Sequence, residues 1–144
     1  MWDIKDLLGI AISVAVKAHE GQKDRAGLPY ITHPLRVMYL VDTLEEQIVA
    51  VLHDVLEDTS VTLKNLEELG FPSHLLDALQ AVTHAKGETY LDYTQRAKAN
   101  PIAREVKKAD LKDNSNIFRL PEIEDYDLRR LKKYHKAQKF LMEG

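Results

Sequence analysis

The segment Ile48-Val-Ala-Val-Leu-His53-Asp54-Val-Leu-Glu57-Asp58-Thr59 carries the densest chemistry in the chain. Its first half is apolar nearly all round, the mark of a helix inside a core. Four ionisable residues then follow close together. His53 and Glu57 are four apart, as are Asp54 and Asp58. On an unbroken helix each pair stacks one turn apart, in two adjoining columns. Three carboxylates so placed repel one another, and Glu57 and Asp58 fall near the helix C-terminus, where negative charge is disfavoured. Burying such groups unpaired costs on the order of several kcal/mol each. A bound divalent cation would compensate. The plainer alternative is a helix that surfaces here, with Asp58-Thr59-Ser60 as an ordinary turn.

Two other segments bear on that choice. His33 stands in Tyr30-Ile-Thr-His33-Pro34, where a lone histidine could equally be a cap or a packed imidazole. Asp110 and Asn114 are four apart, on one helical face, in Val106-Lys-Lys-Ala-Asp110-Leu-Lys-Asp-Asn114. Asp110 could instead pair with Lys107 or a nearby arginine. Taken together, His33, His53, Asp54 and Asp110 offer two imidazoles and two carboxylates. Two carboxylates neutralise a divalent ion, and the hard, mixed nitrogen and oxygen set suits Mn²⁺ better than a structural zinc. Four ligands leave coordination open for water, as hydrolysis requires.

The order His33, His53-Asp54, Asp110 resembles the HD-domain metal-dependent phosphohydrolases. The blocks Ala18-His19-Glu-Gly21-Gln22, Pro29-Tyr30-Ile-Thr-His33-Pro34-Leu35, Leu52-His53-Asp54-Val-Leu-Glu57-Asp58-Thr59 and Lys108-Ala109-Asp110 with Asn114 narrow the resemblance. They are similar to the hydrolase domain of the RelA/SpoT alarmone enzymes, over roughly residues 11–120. Gly87-Glu88-Thr-Tyr90-Leu-Asp-Tyr93-Thr-Gln-Arg96 further resembles small stand-alone members, the guanosine polyphosphate pyrophosphohydrolases.

The resemblance implies removal of the 3′-pyrophosphate from (p)ppGpp, leaving GDP or GTP. It implies that His33, His53, Asp54 and Asp110 ligate the metal. Glu57 and Asp58 would then position and deprotonate the attacking water, and Asn114 would line the nucleotide site. Lys23 or Arg25, in the loop before Tyr30, would supply positive charge for phosphates, with Arg104 or Lys107 as further candidates. The alarmone enzymes usually read Ala-Asp-Arg-Leu-His-Asn where this chain reads Ala109-Asp110-Leu111-Lys112-Asp113-Asn114. The changes at Leu111 and Asp113 are expected beside the nucleotide pocket, where they would bear on base specificity. An HD-type hydrolase for another nucleotide, such as a nucleoside monophosphate, keeps every metal residue. A non-enzymatic nucleotide sensor is the reading from another class, and the intact Glu57-Asp58 pair argues against it.

The elements that must hold these residues are helical. The chain has 144 residues, 44% hydrophobic and 30% charged, which excludes disorder and suits one domain over 1–144. A formal net charge of −3 disfavours a nucleic-acid partner. The absence of cysteine excludes thiol chemistry and suits the cytoplasm. Leu7 to Val16 is too short to span a bilayer, and Asp3, Lys5 and Asp6 do not make the basic start of a leader. No membrane partner is expected, only a small nucleotide.

Apolar spacing predicts an all-α fold, an HD-type bundle of seven or eight helices. The first ends near Gly21, before a loop to Pro29. Pro34 opens a second, to about Val41. A third covers Leu44 to Leu56. Thr62 caps a fourth ending at Gly70, and Ser73 a fifth ending near Ala85. The others run from Glu88 to Asn100, from Pro101 to about Phe118, and from Glu122 onward. The last turns from acidic to basic along its length, matching the helix dipole; its basic run reads as an anion patch or a solvated face. Tyr90, Tyr93 and Arg96 could hold a nucleotide, or Tyr90, Tyr93 and Ala97 could form an inner helix face. His19, His74, His84 and His135 read as structural or surface residues, with a supporting role near the site open to His19.

Overall fold

A computed structural model describes residues 2–144. Among the described residues nine α-helices form, one of them a single turn: α1 Ile4–Ala18, α2 Thr32–Tyr39, α3 Leu44–Leu52, α4 Val55–Asp58, α5 Leu63–Glu68, α6 Ser73–Ala81, α7 Tyr90–Ala99, α8 Pro101–Asn114 and α9 Asp125–Met142. A short 3₁₀ turn, Ile117–Arg119, joins α8 to α9. Among the described residues there is no β-strand, and no helix is long and apolar enough to cross a membrane.

The sequence starts these helices with side chains that satisfy free backbone amides. Asp3 accepts from the amides of Lys5 and Asp6. Thr43 and Glu46 form a capping box on α3, and Thr62 and Asn65 one on α5. Asn100 caps α8, whose first residue is Pro101. Pro34 is the third residue of α2 rather than its opener, still within the turn where a missing N–H costs nothing. Ser73 makes no cap; Pro72 holds that place.

The core centres on α3, where Ile48, Val49, Ala50, Val51 and Leu52 are all buried. Helices α1, α2, α6 and α8 surround it, contributing Leu7, Val37, Leu79 and Val106 among others. Each such side chain contributes roughly 1.5–3 kcal/mol when buried. Helix α9 lies across α7 and α8 on a smaller cluster of Leu111, Ala137 and Leu141. Lys132, Lys136 and Lys139 stay exposed.

One boundary matters for function. The third helix ends at Leu52, not at Leu56. The Ala50 carbonyl accepts the His53 amide at 3.3 Å and the His53 ring Nδ1–H at 2.6 Å. The His53 ring thus competes for the carbonyl that Asp54 would use in a continuing α-helix. The chain tightens at His53-Asp54 and resumes as α4. The fifth expected helix likewise stops early, at Ala81, where the Thr83 amide turns to the Gln80 carbonyl at 3.1 Å and the Thr83 hydroxyl donates to the Leu79 carbonyl at 2.7 Å.

Candidate functional site

His33 comes from the first turn of α2, His53 and Asp54 from the break after α3, and Asp110 from the buried face of α8. Their donor atoms converge. Nε2 of His33 lies 3.0 Å from Oδ1 of Asp110 and 3.7 Å from Oδ2 of Asp54. Nε2 of His53 lies 3.2 Å and 3.1 Å from the same two oxygens. The two imidazoles sit edge to face, 5.1 Å between centroids. His33, His53 and Asp110 are buried, and Asp54 is half-buried.

The proton positions decide what this cluster can hold. Nδ1 of His33 donates to Oδ2 of Asp113 at 2.6 Å, and Nδ1 of His53 donates to a carbonyl. Both Nδ1 atoms therefore carry hydrogen, and both Nε2 atoms face carboxylate oxygens. Such a contact needs a second proton on each ring or a cation between them. Burial alone would lower both pKa values, but Asp110 and Asp113 for His33, and Asp54 and Asp110 for His53, raise them. The cluster thus draws positive charge. Lys107 answers one oxygen of Asp110 at 2.8 Å, while among the described residues Asp54 pairs with no lysine or arginine and, besides the two imidazoles, takes the Tyr30 hydroxyl at 2.5 Å. Two neutral Nε2 donors with two carboxylate oxygens make a set that fits a divalent ion.

Glu57 and Asp58 stand beside this cluster on α4, both exposed. The break at His53-Asp54 interrupts the stacked columns expected of an unbroken helix. Oε1 of Glu57 instead accepts the His84 backbone amide at 2.6 Å, and Gln22 donates to the Asp58 carbonyl at 2.9 Å. Partial burial, with Asp54 close by, pushes both carboxyl groups above their ordinary range; the His84 amide offsets part of this for Glu57.

No protein-family model matches the chain. The probable GTP pyrophosphokinase of Mycobacterium leprae is 36% identical over 121 aligned residues, 76% of this chain and 15% of that protein. The bifunctional (p)ppGpp synthase/hydrolase SpoT of Escherichia coli is 44% identical over 63 residues, 41% of this chain and 9% of that protein. The chain thus spans a small part of the curated relatives it matches. A solved structure, of a metazoan ortholog of SpoT that hydrolyses ppGpp, shares the fold with a TM-score of 0.77 at 19% identity, covering 96% of this chain and 86% of that one. Sequence similarity to these relatives, together with the shared fold, supports a RelA/SpoT hydrolase-like HD domain.

A cavity of about 280 Å³ opens beside His33 in this HD domain, bounded by the Lys23–Tyr30 loop, the end of α8 and the start of α9. Asn114 lines it and donates to Asp110 Oδ1 at 3.0 Å. Lys23 and Arg25 line it too. Arg25 is not free: Asp127 of α9 holds it at 3.0 Å.

Three expectations change here, those for Leu111, Arg104 and Lys107. Leu111 does not face the pocket but is buried against α9. Asp113 is buried and committed to His33, to Arg36 at 2.8 Å and to Arg119. Burial would raise its carboxyl, but the His33 and Arg36 hydrogen bonds bring it down to about 2. Arg104 is tied to the carbonyls of Leu141 and Glu143, at the far end of α8, and Lys107 is buried on Asp110. Neither screens a phosphate in the cavity.

Tyr93 and Ala97 are buried, the inner-face reading, and Arg96 is engaged by Glu88 and two carbonyls. His19 packs 5.1 Å from Tyr30 and joins Gln22 at 2.8 Å, so it supports the loop behind Asp58. Residue types and spacing did not flag Tyr30, Arg36, Asp113 or the His84 amide as members of the site. Asp113 carried a signal only as a departure from the family pattern.

Proposed function

We propose that the chain hydrolyses the 3′-pyrophosphate of (p)ppGpp, with a divalent cation held by His33, His53, Asp54 and Asp110. The observation that carries this is the convergence of two Nε2 atoms and two carboxylate oxygens between 3.0 and 3.7 Å, beside the Glu57-Asp58 pair. The printed activities of the relatives, a (p)ppGpp synthase/hydrolase and guanosine-3′,5′-bis(diphosphate) 3′-pyrophosphohydrolases, supply the substrate class. Manganese is the favoured ion, given two imidazoles and two carboxylates. One domain over residues 1–144 and a cytoplasmic setting belong to the same reading.

A divalent ion bound there supplies charge that stabilises a phosphoryl oxygen and acidifies water. The residues of the chain do the remaining work. Glu57, its carboxyl raised by partial burial, takes the proton of the attacking water, and Asp58 orients that water. Asn114 keeps Asp110 turned toward the cluster. Lys23 offers a free ammonium at the cavity mouth, and Arg25 contributes charge while tethered to Asp127.

The test is product analysis of the purified protein with Mn²⁺ and a panel of ppGpp, pppGpp and the common nucleoside mono-, di- and triphosphates. Chelator-sensitive release of pyrophosphate from ppGpp is expected. Intact ppGpp beside a cleaved nucleoside monophosphate would keep the hydrolytic centre and overturn the substrate.

A further inference from the structure

The block Gly87-Glu88 to Arg96 lines none of the cavity beside His33, yet it builds a tight structure of its own. Arg96 reaches back from α7 to the loop between α6 and α7. Its Nε and Nη2 grip Glu88 at 2.6 and 2.7 Å, and its other hydrogens hold the carbonyls of Gln80 at 3.0 Å and Thr83 at 2.8 Å. The guanidinium fork thus ties both ends of the loop to one helix. Glu88 in turn accepts the Ala85 amide at 3.1 Å, and its carbonyl accepts Nε2–H of His84 at 2.7 Å. Below, the Tyr93 ring stacks on the His84 ring at 4.7 Å, 9° from parallel. Every one of these contacts fixes residue 84 or its neighbours. What residue 84 then offers is its backbone amide, at 2.6 Å from Oε1 of Glu57.

We propose that the Arg96–Glu88 clasp is a positioning device for Glu57: it holds the 82–88 loop so that the His84 amide fixes one oxygen of that carboxylate and leaves the other for water. The inference rests on the reading of Glu57 as the base. Glu57 is an exposed residue on a one-turn helix, with no other hydrogen bond that would stop its side chain rotating. A base must be held in place to work, and loss of orientation of about 1 Å costs on the order of 100-fold in rate. Arg96 is then a positioning residue, not a catalytic one.

The experiment measures amide exchange at His84 and steady-state hydrolysis of ppGpp with Mn²⁺, in the wild type and in Arg96→Ala, Arg96→Lys, Glu88→Gln and Glu57→Gln. Exchange at His84 is expected to rise on the order of tenfold in Arg96→Ala, with core amides such as Val51 unchanged, and to change little in Glu57→Gln, whose side-chain oxygen still accepts the amide. In Arg96→Ala kcat is expected to fall roughly 10- to 100-fold, with KM and manganese affinity unchanged. Arg96→Lys, which keeps a charge for Glu88 but not the fork, should lie between. In Glu57→Gln the further loss from Arg96→Ala should vanish, because the two act as a unit. An inactive Glu57→Gln beside a fully active Arg96→Ala overturns the clasp. A fully active Glu57→Gln overturns the base, and the clasp's purpose with it. Unchanged His84 exchange in Arg96→Ala overturns the clasp whatever the activity, and so does loss of Mn²⁺ binding in the folded Glu88→Gln variant.

Discussion

Oδ2 of Asp113 accepts Nδ1–H of His33 at 2.6 Å, across 80 residues of sequence. That bond sets the tautomer, so Nε2 is the nitrogen turned toward Asp54 and Asp110. Arg36 and Arg119 hold the carboxylate from the other side. A buried imidazole oriented by a carboxylate is a stronger and better-aimed donor than a free one.

Removing that orientation should weaken the site without dismantling it. Asp113→Ala is expected to lower Mn²⁺ affinity by roughly 10- to 100-fold. Asp113→Asn, which still accepts through its carbonyl oxygen, should lose less. Titration calorimetry with Mn²⁺ checks both. Equal affinities in all three proteins would mean that His33 needs no partner.

Asp54 has no lysine or arginine to share, so its charge is the one most available to a cation. Asp54→Ala is expected to abolish metal binding and hydrolysis together, with the helical content retained. Metal analysis after dialysis, run beside the activity assay, is the check. A variant that keeps its ion would remove Asp54 from the ligand set.

Glu57 has the opposite profile. Glu57→Gln keeps size and hydrogen-bonding capacity but loses the basic oxygen. Turnover should fall by about 10²- to 10⁴-fold, the usual worth of a general base. Metal affinity should stay that of the wild type. An unchanged kcat would take the proton-transfer role away from Glu57.

The histidines give a pH signature. In metal-free protein, burial works to lower their pKa values, but neighbouring carboxylates carry them above 6.5. A group with a raised folded pKa contributes stability below its unfolded pKa and loses it as pH climbs through the folded value. A bound cation replaces those protons and removes the loss. Chelator should therefore lower Tm little at pH 6 and progressively more above it. Thermal unfolding across pH 6 to 9, with and without EDTA, measures this. A chelator effect that shrinks toward alkaline pH would contradict it.

The four clustered residues were legible because each stands in a short segment whose residue types are unusual for a helix core. His53-Asp54 after Ile48–Leu52, and Asp110 on an α8 face that buries Val106, are visible locally. The supporting bonds were not legible, because they close over long separations: 27 residues between Glu57 and His84, and 102 between Arg25 and Asp127. Arg25 shows the cost. Its loop and charge suggest a phosphate ligand, but only the packing of α9 reveals that Asp127 already holds it. The helix break was hidden too, since Val55 and Leu56 continue the apolar pattern across it. Only the competition of the His53 ring for the Ala50 carbonyl ends α3.

Helix α3 is buried along Ile48–Leu52, and the first residues to leave it are His53 and Asp54. Most of the cavity wall, by contrast, comes from the Lys23–Tyr30 loop, the 3₁₀ turn and the start of α9, alongside His33, Arg36 and Asn114. The two parts therefore answer to different pressures as a lineage diverges. A change in the walls alters which molecule is admitted at little risk to folding. A change beneath His53 and Asp54 disturbs the buried run Ile48–Leu52.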